Sequence, residues 1–550
     1  MSSGKGSKDK SSGASEEEDK QGKHKPGKDK DKGKPGKNKQ RKDKSGKRAG
    51  RRSEESREPG RSSTPPVPTG QRLYDMPYSA APPRLINLDL GLHNLVTRAG
   101  HNAGYTIDVT LLDAPDHRLI RSGVLLAHRV LDGRGEWYLG AADWQPMLPD
   151  ERIEPMGQGD LPEEYADLTR PFRRRATLGP VAALTCERRE FALRDDRGTT
   201  MALLRDDKVT VRRGGLTTAR YREVMLTPTG PGLSEEQATH VHQALANAGA
   251  TQVDRFPRLV TRLGAPATGP TDFPLAESLE RDTSFTQFVS HLLGTRLREM
   301  LHADLLIRTD DPQGAAALAR CTGRLRAELQ GLSAVIDVAW LEDLDEELEW
   351  IAEQAQQESG RQDGSGDGRP TGDLRLRLRG ERYLTLLDRL VTATRAPQVG
   401  NASTLQASEV LGSLLNVAQS RVEKAAGRLG VDSPPELWGE ASDAFEALFR
   451  VTGVASHLLA ERVEHLRHRL GMATQLLAEA AKHDRAAKRS ADLAARSSPT
   501  EAFSLGRAYE HELAVAQTAR AAFVRHWGKA VRHLNKPVKQ SGSGKHEKKE

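Results

Sequence analysis

Residues 111–154 read LLDAPDHRLIRSGVLLAHRVLDGRGEWYLGAADWQPMLPDERIE, and this stretch decides the class of the fold. Two strand-like runs, roughly 118–130 and 136–142, flank Asp132-Gly133-Arg134-Gly135, a composition that tolerates positive φ and predicts a β-hairpin. The same pattern continues downstream. Arg188–Leu193, Thr199–Leu204, Lys208–Val211 and Arg220–Leu226 are strand-like and are separated by Asp195-Asp196-Arg197-Gly198, Arg205-Asp206-Asp207 and Gly214-Gly215. Short strands on close turns imply an antiparallel sheet or barrel, here spanning residues 84–262. Ser234 caps a predicted helix, Ser234–Ala248, with Glu235 and Glu236 in its first turn and Gly249 past its end.

Beyond a Gly/Pro-rich linker at 263–280 the periodicity changes from two to three and four. Apolar residues at helical spacing predict helices near 283–308, 313–338, 341–357, 374–395, 402–428, 441–469, 470–495 and 500–534. Two sets of four, divided near 396–400, predict a duplicated four-helix bundle over 281–535. Upstream, 53–83 contains Pro65-Pro66-Val67-Pro68 and Pro82-Pro83 and reads as an extended linker. The class expected is therefore α+β, with a β domain followed by an all-α domain.

At 36% hydrophobic residues, a chain of 550 is too polar to be folded throughout. Residues 1–52 hold 19 Lys and Arg against 8 acids, and residues 536–550 hold 5 against 2. These segments carry +11 and +3 of a formal +7, which leaves −7 for the middle. The first segment has no aromatic residue, cannot offset its ordering entropy by burial, and is expected to be disordered. The last is read as a second basic tail. Dense lysines of this kind grip polyanions through counterion release. Cys186 and Cys321 have no paired neighbour in sequence, which excludes a disulfide framework or a Cys-x-x-Cys metal site and fits a reducing cytoplasm. No apolar run approaches the length of a membrane span. There is no Ser-His-Asp set, no phosphate-cradling Gly loop followed by Lys, and no zinc motif. Arg467, His468, Arg469, Lys482, His483, Arg485, Lys488 and Arg489 read as a solvated helix face.

The hairpin resembles the landmark of CYTH domains, the triphosphate tunnel fold. Leu112-Asp113-Ala114-Pro115-Asp116 stands at the family's Tyr-Asp-Thr-Pro-Asp lead-in, Gly123 at its glycine, and Arg152-Ile153-Glu154 at its Arg-x-Glu. Leu126-Ala127-His128-Arg129 replaces the basic strand, and Trp137-Tyr138-Leu139-Gly140 replaces the lysine strand. The resemblance implies a metal held by carboxylates and phosphates held by inward-facing Lys and Arg. Asn87-Leu88-Asp89-Leu90-Gly91 is expected at the family's first-strand Glu-x-Glu-x-Lys, and Glu223-Val224-Met225-Leu226-Thr227 at its late acidic strand. Most metal ligands are thus replaced. Arg129, Arg152, Arg188 and Arg222 remain as candidate phosphate ligands.

The helical part resembles the CHAD domain through Leu344-Asp345-Glu346-Glu347-Leu348-Glu349-Trp350-Ile351-Ala352, Glu381-Arg382-Tyr383-Leu384-Thr385-Leu386-Leu387 and Trp527. That family carries a His- and Arg-rich helix in each repeat that binds inorganic polyphosphate. Here the first equivalent, residues 316–326, keeps Arg320, Arg324 and Arg326, and the second, residues 447–457, keeps Arg450 and His457. The expectation is a non-catalytic cytoplasmic protein without a cofactor that binds inorganic polyphosphate or another polyanion, or a granule containing it, with help from the Lys-rich tail. Two other readings stand beside it. One is a divergent triphosphatase using Mg²⁺ or Mn²⁺ through Asp89, Glu223 and Glu154. The other is a nucleic-acid- or nucleoid-associated protein acting through the tail.

Overall fold

The computed structural model describes residues 70–98, 104–157, 159–280, 282–364 and 372–534. The basic segments 1–52 and 536–550 lie outside the described residues. The β part holds ten strands: β1 (Arg72–Met76), β2 (Asn94–Thr97), β3 (Gly104–Asp113), β4 (Leu125–Leu131), β5 (Arg134–Gly140), β6 (Glu151–Pro155), β7 (Gly179–Arg194), β8 (Thr200–Arg213), β9 (Leu216–Pro228) and β10 (Thr251–Val253). They form one antiparallel sheet in the order β10-β1-β9-β8-β7-β3-β4-β5-β6, with β2 beside the far end of β7.

The hairpin is β4–β5, turned by Asp132 at φ 49° and Gly133 at φ 77°, the pair of positive φ values whose twist matches the flanking strands. The run expected as its first strand starts seven residues late. Residues Arg118–Arg121 form a helical turn, α1, because the buried Asp113 carboxylate accepts from the backbone N–H groups of Ala114 (2.6 Å), Leu119 (3.0 Å) and Ile120 (2.9 Å). Those three bonds satisfy donors that a strand would have had to pair elsewhere.

Two other expectations are corrected. Residues 87–91 are not a strand. Asn87 Oδ1 accepts from Asp89 N–H (3.1 Å) and Leu90 N–H (3.3 Å), closing a 3₁₀ turn that ends at Gly91, φ 71°. The first strand is instead β1, inside the stretch read as a linker. Likewise Arg205-Asp206-Asp207 is no turn, because β8 runs through it unbroken. Successive strand residues face opposite ways, so Asp206 meets Arg222 on one side and Asp207 meets Arg188 on the other.

The two faces of the sheet differ. One is covered by α4 (Glu235–Asn247), started by a Ser234–Gln237 capping box, whose Val241 and Leu245 bury Tyr74, Leu204, Val224 and Leu226. The other is covered by the short α5 (Leu259–Leu263), and Leu263 and Ala267 pack with Leu111, Ala127, Ala182, Leu184, Val209 and Val211. At the β4–β5 end the α4 side of the sheet, through Leu126, Trp137 and Leu139, packs into the core of the helical part. Two short helices precede β7 there, α2 (Glu163–Leu168) and α3 (Arg170–Arg173).

The helical part comprises α6 (Phe285–Arg308), α7 (Gly314–Gly331), α8 (Val338–Gly364), α9 (Asp373–Arg379), α10 (Glu381–Arg395), α11 (Ala407–Gly427), α12 (Pro435–Ala455), α13 (Ala460–Ala494) and α14 (Pro499–Leu534). The first helices of the two expected halves are tied to each other at the backbone. Phe285 N–H donates to Leu405 C=O (2.8 Å) and Ala407 N–H donates to Thr283 C=O (2.9 Å), so the first helices of the two halves start from a reciprocal pair of bonds. The run 374–395 divides at Gly380, whose extended backbone ends α9 and caps α10. The expected break at 469/470 lies instead at 456–459, and α13 continues unbroken for 35 residues.

The β and α parts share one core, and residues 263–280 fill the joint rather than span a gap. Trp144, Phe172, Phe273 and His302 meet edge to face, with Trp144 to Phe172 at 4.9 Å between centroids, and Trp144 Nε1–H donates to Ser122 C=O at 2.6 Å. Burial beside Arg298 depresses His302 to about 4, so its imidazole sits neutral in this cluster. Two aspartates lock the joint. Asp272 pairs with Arg174 (2.5 Å) and with Arg395, and Arg174 also reaches Asp388 (2.6 Å). Asp167 takes Arg308 (2.7 Å), Arg375 (3.1 Å) and Arg379 (2.7 Å), all from the helical part.

Candidate functional site

Paired positions in antiparallel strands project to the same side. Tyr105, Arg188, Asp207, Glu223 and Asp75 are partners across β3, β7, β8, β9 and β1, so they form one charged row on the α5 face. Asp207 binds Arg188 through both oxygens (2.7 and 2.8 Å) and Arg205 at 3.1 Å. Arg188 also donates to the Tyr105 hydroxyl at 2.5 Å. At the other end the guanidinium of Arg262, brought in by α5, lies between Asp75 (3.2 Å) and Glu223 (3.4 Å) and over the Tyr221 ring, 4.4 Å from its centroid.

The row therefore holds Asp75, Asp207 and Glu223 against Arg188, Arg205 and Arg262, and its charges cancel. Burial pushes the Glu223 carboxyl up, with Arg262 opposing, and burial also raises the Tyr221 phenol. Cys186, two residues before Arg188, is raised by burial to about 11 and is a packed thiol rather than a nucleophile. Next to the row the face is apolar, filled by Leu184, Val209, Val211 and Leu263. Where the resemblance calls for a charged side chain at 140, the chain has Gly140. A Cβ there would come within 2.7 Å of the Tyr138 hydroxyl, so the phenol occupies the space. A cavity of about 620 Å³ beyond it is lined by Tyr138, Arg121, Arg258, Asp143 and Asp150, again with balanced charge.

The structure does not gather the eight candidate arginines about one point. Arg129 and Arg188 lie on the α5 face, Arg129 bound to Glu136 (2.8 Å) and 4.6 Å above the Tyr138 ring. Arg152 and Arg222 lie on the opposite face. Arg152 is bound by Glu154 (2.7 Å) and Glu164 (2.6 Å), which hold it above the ordinary arginine range. Arg222 is bound by Asp206 at 2.7 Å. In the helical part Arg326 is held by Asp345 (2.8 Å) and Glu349 (3.1 Å), Arg324 by Glu328 (3.4 Å) and Arg450 by Glu446 (3.2 Å). Arg320 is exposed on α7.

The alternative metal set is also dispersed. Asp89 sits in the exposed 3₁₀ turn, Glu154 faces the α4 side, and Glu223 faces Arg262. Among the described residues no three His, Cys, Asp or Glu side chains are grouped to hold a metal ion. No described helix is long and apolar enough to cross a membrane. The sequence reading missed Asp75, Arg205, Tyr221 and Arg262. No local pattern pointed to them: Asp206-Asp207 reads as a turn, and the arginines that flank it, Arg188 and Arg222, were already among the candidates.

No family model and no curated protein matches this sequence. The structure is similar to PptA from Streptomyces chartreusis at 19% identity and TM-score 0.33, over 45% of this chain and 100% of that one. It is also similar to the CHAD domain from the plant Ricinus communis, at 15% identity and TM-score 0.32 over 46% of this chain and 95% of that one. A protein described as an adenylate cyclase from Bacillus halodurans matches at 14% identity and TM-score 0.19, over 32% of this chain and 96% of that one.

Proposed function

We propose that this chain is a non-catalytic CYTH- and CHAD-like protein that associates in the cytoplasm with inorganic polyphosphate, or with a granule containing it. The observation that carries the non-catalytic part is Arg262. Its guanidinium stands between Asp75 and Glu223, on the strands that would supply metal-binding carboxylates, and supplies the positive charge that a divalent cation would otherwise bring. The folded part offers its phosphate-binding candidates mostly as arginines already paired with carboxylates. Polyanion affinity therefore rests on residues 1–52, with 19 basic residues against 8 acids, and works by counterion release.

Titration of long-chain polyphosphate into the full chain and into a variant lacking residues 1–52 tests this reading. The full chain is expected to bind and to lose about a hundredfold or more in affinity between 50 and 200 mM salt. The shortened variant is expected to bind at least about tenfold more weakly and with a shallower salt dependence. Unchanged affinity on deletion would place the site in the folded part and reject the tail. Incubation with tripolyphosphate and Mn²⁺ is expected to release no phosphate above background. Release abolished by Glu223→Gln would instead establish the hydrolase reading.

A further inference from the structure

A second cavity, of about 280 Å³, opens on the α4 face of the sheet, away from the charged row. Its walls are apolar, with Leu95, Phe191, Leu204 and Val224 on the sheet and Pro82 and Pro83 on the chain leading away from β1. Its polar groups converge from β7, β8 and β9. Arg222 is only 4% exposed, and three of its donors are accounted for: Nε and Nη2 go to Asp206 (2.7 Å each) and Nη1 to Ala80 C=O (2.8 Å). A guanidinium carries five N–H groups, so one donor on each Nη remains for an acceptor in the cavity.

Lys208 and Arg189 also line the cavity, and among the described residues neither forms an ion pair with a carboxylate. The Lys208 ammonium lies 5.8 Å from the centroid of the Tyr78 ring, a contact that leaves its N–H donors open. Asp206 is neutralised by Arg222, which leaves Glu187 as the one remaining acid in the lining. The cavity therefore carries one surplus positive charge above an apolar floor. Apolar walls with a few placed polar groups are the usual make-up of a small-molecule site, and the volume falls just below the range of about 300–1,000 Å³ found for drug-sized ligands, which suits a smaller molecule.

We propose that this cavity binds a small amphipathic monoanion, a short apolar chain or ring ending in a carboxylate. The two free Nη donors of Arg222 and the Lys208 ammonium take the carboxylate, and Leu204, Phe191 and Val224 enclose the hydrocarbon. A dianion would exceed the surplus charge, and a polyphosphate has no apolar body to place. This site is separate from the polyanion association proposed above and does not depend on it.

Calorimetric titration of the full chain with octanoate tests the proposal, with octanol as the uncharged probe and tripolyphosphate as the probe lacking an apolar body. Octanoate is expected to bind saturably, octanol at least tenfold more weakly, and tripolyphosphate is expected not to displace octanoate. Val224→Trp, which fills the cavity, is expected to abolish binding. Lys208→Met, a half-buried position where bulk is kept, is expected to weaken it at least tenfold with an unchanged melting temperature, so the test survives if the tryptophan variant does not fold. No heat of binding with octanoate up to millimolar concentration overturns the proposal. So does equal binding of octanol, full affinity in Lys208→Met, or displacement of octanoate by tripolyphosphate.

Discussion

Asp167→Ala is expected to destabilise the folded chain by about 3–5 kcal/mol, the range seen when one partner of a buried ion pair is removed. Asp167 is 4% exposed at the end of α2, and it receives Arg308, Arg375 and Arg379 from the helical part. Arg308 is itself 2% exposed and keeps only Asp304 as a carboxylate partner once Asp167 is gone. Two backbone bonds of Arg308 survive the substitution, to the C=O of residue 167 (3.2 Å) and of Leu378 (3.1 Å), and still tie α2, α6 and α9, so the loss is that of the carboxylate. Urea unfolding of the full chain measures the loss. The control is Asp310→Asn, which removes the charge at the exposed end of the same network and keeps a residue type that tolerates the positive φ of 57° there, and it is expected to cost no more than about 1 kcal/mol. A loss at Asp167 no larger than at Asp310 would mean that the joint is held by its apolar core alone.

The same residue sets a pH dependence. Burial works against ionisation of Asp167, but the Arg379 bond and the charges of Arg308 and Arg379 outweigh it and hold the carboxyl below its ordinary range. A carboxyl whose folded pKa lies below its unfolded value, about 3.9, contributes stability that is complete above that value and is lost as pH falls through the folded pKa. The stability difference between the native chain and Asp167→Ala is therefore expected to be constant from neutral pH to about 5 and to shrink below about 4.

How far the sequence reveals this architecture depends on whether the deciding interaction is local. The β4–β5 hairpin was legible because Asp132-Gly133 supplies two adjacent positive φ values, and the start of α4 because Ser234 is an N-cap residue followed by two first-turn glutamates. The strand at Arg72–Met76 was hidden. It is five residues of mixed polarity after a proline-rich run, and it is a strand because β9 and β10 pair with both of its edges. Asp206-Asp207 carries turn propensity and lies in mid-strand because Arg222 and Arg188 neutralise it from flanking strands, a matter of register across 16 and 19 residues. The candidate site followed the same rule. Residue types on each strand were readable, but Arg262 arrives from α5 beyond the last long strand. Its position between Asp75 and Glu223 is a tertiary approach with no local pattern.

Glu328→Ala is expected to be as costly as the loss of Asp167, about 3–5 kcal/mol, because it strips the buried counter-charge from the centre of the helical part. Arg296 on α6 is 2% exposed and is held side-on by both Glu328 oxygens, 2.7 Å each. His457 (3.3 Å) and Arg324 (3.4 Å) approach the same Oε1, so one carboxylate serves guanidiniums of α6 and α7 and an imidazole just past α12. Without it Arg296 keeps Glu299 at 2.7 Å, a carboxylate that is itself 40% exposed. If the cost is that of an uncompensated buried charge, replacing both partners, Arg296→Met with Glu328→Leu, is expected to restore most of the stability lost in Glu328→Ala. A double variant no more stable than the single one would show that the pair contributes through its hydrogen bonds and not by cancelling charge. Arg296 and His457 hold the Glu328 carboxyl below its ordinary range against the opposing effect of burial, so this contribution too is present at neutral pH and lost as pH falls below about 4. Glu328 pairs with Arg324 on α7 (3.4 Å), so the carboxylate that stabilises the bundle also cancels the charge of one of the arginines that a polyphosphate would need there. Glu328→Gln, which keeps the shape and removes the charge, is the variant in which any phosphate affinity of the helical part is expected to rise as its stability falls.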